Sequence, residues 1–104
     1  MVEQVAVVTG ANSGIGRATA IHLAQQGMRV FGTVRSVSKA GKLNDMAAAR
    51  GATVELVELD VADDESVRRG FDEIYRYTDH VDLLVNNAGI GNISVVEHCP
   101  PATY

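Results

Sequence analysis

One cysteine, Cys99, is all the sulfhydryl this 104-residue chain carries, so no disulfide framework supports it and a reducing, cytoplasmic setting is expected. No apolar run approaches the roughly 20 residues that span a bilayer. The N-terminus lacks a basic stretch followed by a long apolar one, and Glu3 stands where a signal peptide would be apolar, so neither membrane nor export is expected. Acids are missing from one long span. Between Glu3 and Asp45 there is no Asp or Glu, yet Arg17, Arg29, Arg35, Lys39 and Lys42 lie there; beyond it twelve acids face four bases. The early segments are therefore cationic and suited to an anionic ligand. The chain as a whole is acidic, at −4, and no basic stripe interleaved with aromatics is present, which argues against nucleic acid.

Apolar residues make up 46%, enough for one packed domain, 1–104, and too short a chain for two. Val5 to Val8 is a short β-branched run, as expected of a buried parallel strand. From Gly14 to Gln26, Ile15, Ala18, Ile21 and Leu23 recur at helical spacing, with Gly27 as the stop. A second strand is expected over Arg29–Val34, then a weak helix from Ser36 to about Arg50 with Leu43, Met46 and Ala47 on one side. Thr53–Leu59 reads as the third strand. Asp63 to about Tyr77 forms an amphipathic helix with Val67, Phe71, Ile74 and Tyr75 along its buried stripe. Val81–Val85 is the fourth strand. Such alternation predicts an α/β, Rossmann-like, doubly wound parallel sheet of four strands in the order 3-2-1-4. Beyond Gly89 the pattern dissolves, although Pro100-Pro101 could open another helix.

The first strand meets the first helix through Thr9-Gly10-Ala11-Asn12-Ser13-Gly14-Ile15-Gly16. Gly10 permits a tight exit from the strand, Gly14 a close approach of backbone to a phosphate, and Gly16 close packing of the helix. The helix start then offers unpaired N–H groups and a positive dipole end to a pyrophosphate.

The spacing Gly-xxx-Gly-x-Gly after a threonine resembles the short-chain dehydrogenase/reductase family, in its single-domain branch. Asp60-Val61 after the third strand and Asn86-Asn87-Ala88-Gly89 after the fourth carry the same resemblance. It implies that Gly10, Asn12, Ser13, Gly14, Ile15 and Gly16 hold a dinucleotide. Asp60 and Val61 would then contact adenine, while Asn87, Ala88 and Gly89 line the adenosine ribose and steady the sheet. An NAD site places an acid at the end of the second strand; here that position is Val34. Arg35 follows, and a base there goes with NADP in this family, so NADP(H) is expected in preference to NAD. The family's other basic position, just before the second glycine, holds Ser13, which can offer a phosphate only a hydrogen bond.

The same resemblance calls for a Tyr-xxx-Lys pair, with a serine and an asparagine, on segments beyond the fourth strand. Tyr75 is followed at that spacing by Asp79 and Tyr77 by Val81, while Tyr104 ends the sequence. No catalytic residue is expected in this chain, and alone it should be inactive: the cofactor-binding half of a carbonyl or alcohol oxidoreductase, truncated before its remaining strands. Arg29 to Arg35 resembles members acting on hydroxysteroids and retinol-like alcohols. Two alternatives remain open, a non-catalytic NADP-binding sensor and an inactive fragment. No metal site is expected, since His98-Cys99 lacks a second ligand pair. His22 and His80 are expected at the surface and Ser94 without a partnering base. The apolar fourth strand, left at an edge, predicts association through that edge, as in a homo-oligomer.

Overall fold

The computed structural model describes residues 3–87 and the backbone of 95–97. In chain order these form β1 (Val5–Val8), α1 (Gly14–Gln25), β2 (Arg29–Val34), a 3-10 turn (Val37–Lys39), α2 (Gly41–Ala49), β3 (Val54–Glu58), α3 (Asp64–Ile74), β4 (Leu83–Asn86) and β5 (Val95–Glu97). The sheet runs β3-β2-β1-β4-β5. Its first four strands are parallel, with Val5 level with Arg29, Ala6 with Leu83 and Val30 with Val54. That is the expected doubly wound order.

Helices cover both faces. Ala6, Val8, Val30, Val34 and Val54 pack beneath α1 and α2 with Ile21, Leu43 and Ala47. Val5, Val7, Phe31 and Val57 pack on the other face with Phe71 and Ile74 of α3. Burying a side chain such as Ile21 or Ile74 contributes about 2 kcal/mol. β1, in the middle, is buried along its whole length, which is why it alone is apolar at every position.

Four differences from the sequence reading have physical causes. In α1, Ile15 and Ala18 are exposed, while Gly16, Ala20 and Ile21 are buried. The helix presents its small residues to the sheet and so lies close to it. The helix expected from Ser36 to Arg50 is split after Lys39, because the Lys39 carbonyl accepts from Asn12 Nδ2 at 3.1 Å and so leaves the helical ladder. β4 is not an edge strand. β5 pairs with it antiparallel, Asn86 opposite Val95 and Leu84 opposite Glu97, which removes the ground for expecting association there.

His80, the fourth, is no free surface residue. Its Nε2 lies 2.7 Å from the Glu3 carbonyl and 3.1 Å from Asp82 Oδ2, and its Nδ1 lies 2.7 Å from Asp79 Oδ1. Asp82 in turn accepts from the Val5 N–H at 2.8 Å and donates its own N–H to the Val5 carbonyl at 2.9 Å. The N-terminal ends of β1 and β4 are thus tied together through His80 and Asp82. His22 is exposed, as expected. No helix among the described residues is long and apolar enough to cross a membrane.

Candidate functional site

At the opposite end of the sheet, where the parallel strands deliver their C-termini, a cleft of about 1330 Å³ opens. The crevice outside the carboxyl ends of the strands, where strand order reverses, is where open α/β sheets bind ligands. Gly10, Asn12, Ser13, Gly14 and Ile15 form one wall, Arg35 and Lys39 another, Asp60 and Val61 a third, and Asn86 and Asn87 the far end. Nine of the twelve residues expected to bind cofactor line this one cleft. Gly16 lies behind it. Ala88 and Gly89 fall outside the described residues, as do Ser94, His98, Cys99, the Pro100-Pro101 pair and Tyr104.

Gly10 takes φ +64°, a left-handed conformation that a side chain disfavours. A Cβ on Gly16 would run into the Gly10 carbonyl oxygen and come within 2.6 Å of Asn87 Nδ2. Gly14 differs from both. A Cβ there would meet no atom of the described residues within 4 Å, and its backbone is not left-handed. Nothing among the described residues requires glycine at that position; a ligand pressed against the backbone would.

The turn is fastened to the end of β4. Thr9 donates its N–H to the Val85 carbonyl at 3.0 Å and its hydroxyl to Asn86 Oδ1 at 3.2 Å. The same hydroxyl accepts from the Asn87 N–H at 2.9 Å. Asn87 Nδ2 donates to Ser13 Oγ at 2.9 Å and to the Gly10 carbonyl at 3.3 Å. Ser13 Oγ spends its own hydrogen on that carbonyl at 2.8 Å. Its hydroxyl is therefore committed within the turn, and as the N-cap of α1 it makes no capping bond.

The two helix starts differ sharply. At α3, Asp63 Oδ1 accepts from the N–H groups of Glu65 (3.1 Å) and Ser66 (3.4 Å), and Asp64 and Glu65 sit in the first turn. At α1 there is no side-chain cap and no acid. Among the described residues, the N–H groups of Gly14, Ile15 and Gly16 have no hydrogen-bond partner. An uncapped helix start with its dipole end open to a cleft is suited to an anion.

Asp60 shapes the third wall. Its Oδ1 accepts from the Ala62 N–H at 3.0 Å, and its own N–H donates to Ser66 Oγ at 2.8 Å. It makes a local turn and does not cap α3; Asp63 does that. Arg35 and Lys39 are exposed, and among the described residues neither side chain makes an ion pair or hydrogen bond. By contrast, Arg29 forms a two-pronged pair with Glu55 (2.7 and 3.0 Å) that raises its pKa further.

Sequence reasoning missed Thr33, Ser36, Leu59 and Ala62 as lining residues, named Val34 at the second strand's end and Asn86 within its motif, and assigned Lys39 only to the cationic span. The end of β2 carried a signal for Thr33 and Ser36, which flank Val34 and Arg35, since a strand end delivers consecutive residues to the cleft. Thr33 is informative in another way: its hydroxyl is buried and has no partner among the described residues. Neither Tyr75 nor Tyr77 lines the cleft. Among the described residues no three His, Cys, Asp or Glu side chains gather as metal ligands.

Comparison with known proteins decides the family. The model of short chain dehydrogenases matches residues 4–103. The chain belongs to the short-chain dehydrogenase/reductase family. An oxidoreductase of Myxococcus xanthus is 40% identical over 95 residues, which are 91% of this chain and 38% of that protein. A 3-oxoacyl-[acyl-carrier-protein] reductase of Aquifex aeolicus is 41% identical over 84% of the chain and 36% of its own length. Retinol dehydrogenase 11 of Mus musculus is 43% identical over 84% of the chain and 28% of its own length. The short-chain dehydrogenase fold is equally plain. A metagenomic short-chain oxidoreductase in complex with NADP superposes with TM-score 0.75 at 38% identity, over 85% of this chain and 40% of that one. An actinorhodin polyketide ketoreductase with NADPH gives 0.75 at 32%, over 84% and 33%. The chain thus spans no more than two fifths of the length of these relatives.

Proposed function

We propose that this chain is the NADP(H)-binding part of an oxidoreductase acting on carbonyl or alcohol substrates, and that alone it binds cofactor without turning substrate over. The observation that carries the reading is the open start of α1: among the described residues, three N–H groups without partners stand at the helix end that opens on a cleft, and the charged side chains lining that cleft are Arg35, Lys39 and Asp60. The residues fit a dinucleotide. The Gly14, Ile15 and Gly16 amides would take the pyrophosphate, and Gly14 leaves room for it. Asp60 and Val61 would border the adenine, and Asn87, with Ala88 and Gly89 following in sequence, the adenosine ribose. Arg35, planar and able to bond bidentately, would take the 2′-phosphate. The cofactor, when bound, supplies or accepts a hydride.

The names of the relatives support the substrate class: retinol is an alcohol and a 3-oxoacyl group a ketone. That two structural neighbours hold NADP or NADPH supports the cofactor. The tyrosine and lysine that would move the substrate's proton have no counterpart at Tyr-xxx-Lys spacing in this sequence, which is why binding without turnover is expected.

The test is a fluorescence titration of Arg35→Ala against both cofactors. NADPH affinity should fall about tenfold, the loss of one charge-assisted contact of roughly 1.4 kcal/mol, while NADH affinity moves little. Equal losses for the two cofactors would remove the 2′-phosphate from the account.

A further inference from the structure

The cleft has a feature that neither the glycine turn nor Arg35 explains. Asn12, inside the glycine turn, sends its Nδ2 across to the Lys39 carbonyl, 27 residues later, at 3.1 Å. This is the contact that splits the expected helix and leaves Val37–Lys39 as a separate 3-10 turn. The Lys39 N–H closes that turn on the Ser36 carbonyl at 3.2 Å. Lys39 is therefore held at the cleft by its backbone, with its side chain at the lining. Arg35 lines the same cleft four residues earlier.

Two cations on one short segment repel each other unless an anion lies near both. Among the described residues neither is ion-paired, Asp60 being on another wall of the cleft, and no acid occurs in sequence between Glu3 and Asp45. Elsewhere three arginines are paired, Arg29 with Glu55, Arg68 with Glu65 and Arg76 with Glu73, while Arg17, Arg50 and Arg69 make no ion pair among the described residues. Ser13, meanwhile, cannot donate to a phosphate without giving up its bond to the Gly10 carbonyl. The glycine turn therefore supplies no side-chain donor of its own at that position.

We propose that Lys39 is the second cation for the cofactor's 2′-phosphate, taking the part that Ser13 does not fill, and that Asn12 is a positioning residue that holds Lys39 against the cleft. This rests on the NADP(H) reading above, and it adds to it a selectivity device built from two separate loops. Lys39 supplies a point charge on a flexible stem where Arg35 supplies a planar fork, so the two grip one phosphate from different directions.

The experiment uses the two small probes that differ only by the phosphate in question, 2′,5′-ADP and 5′-AMP, titrated calorimetrically into the chain and its variants. Lys39→Met should weaken 2′,5′-ADP about fivefold, as expected of an exposed charge-assisted contact, and leave 5′-AMP unchanged. Lys39→Arg should restore most of the loss. In an Asn12→Ala background, Lys39→Met should cost clearly less, because the two residues act together. A loss that is the same in both backgrounds overturns the positioning role of Asn12. If Arg35→Met weakens 2′,5′-ADP and Lys39→Met does not, the Lys39 assignment falls and the NADP(H) reading stands. If neither substitution distinguishes the probes, both fall.

Discussion

Gly14 and Gly16 stand two residues apart in one turn and answer to different demands. Gly16 is fixed by the protein: its missing Cβ is the room that the Gly10 carbonyl and Asn87 occupy. Gly16→Ala should therefore destabilise the fold by about 1–3 kcal/mol, seen as a lower melting temperature, whether or not cofactor is present. Gly14 meets no such contact among the described residues, and it lines the cleft. Since alanine is the better helix former by about 0.8 kcal/mol, Gly14→Ala should hold or raise the melting temperature while weakening NADPH tenfold or more. Calorimetry and a melting curve on the same two proteins check both statements. If Gly14→Ala lowered the melting temperature as much as Gly16→Ala, the distinction drawn between the two would fail.

The elements differ in how they end, and the ends carry the function. Asp63 satisfies two amides at the start of α3, so Asp63→Ala should cost about 1 kcal/mol of stability in a denaturant titration, without touching cofactor affinity. α1 begins uncapped. Much of this was legible in the sequence because it is local: β1 and β2, the glycine turn, and the stripe of α3 are each written in consecutive residues. Other features were not, because their causes lie elsewhere. The buried face of α1 is made by Gly16 and Ala20, which a count of large apolar residues passes over. The break before α2 is made by Asn12 from another loop. β5 is three residues, Val95–Glu97, with no periodic pattern to announce it, so β4 looked like an edge. Of the cleft lining, nine of the named residues were read from the motifs and the end of β2, and Thr33 and Ser36 were missed, since nothing in their type distinguishes them from ordinary strand and loop.

At the scale of the molecule, the two ends of the sheet have different work. The C-terminal end opens the cleft proposed to bind cofactor; the N-terminal end is a clasp through His80. The hydrogen bond to Asp79 and then the Glu3 carbonyl raise the His80 pKa above its ordinary 6.5, with Asp82 adding to it. The same bond to His80 lowers that of Asp79 below 3.8. A histidine whose pKa is raised by folding contributes stability in full below 6.5 and loses it as the pH rises through the folded value. For Asp79 the sign is reversed: its contribution is present above 3.8 and is lost as the pH falls through its lowered folded value. His80→Gln should therefore lower the melting temperature most between these limits, near pH 5–6, and less as the pH rises past the raised value; a difference that does not change with pH contradicts the clasp. The central claim, however, concerns the other end: that the open amides at the start of α1 receive a dinucleotide's pyrophosphate. Nitrogen–proton NMR spectra of the chain during an NADPH titration test it most directly. The account predicts that the amide signals of Gly14, Ile15 and Gly16 move to lower field, as newly hydrogen-bonded groups do, and saturate together with that of Arg35. Saturable binding that leaves those three signals in place would contradict it.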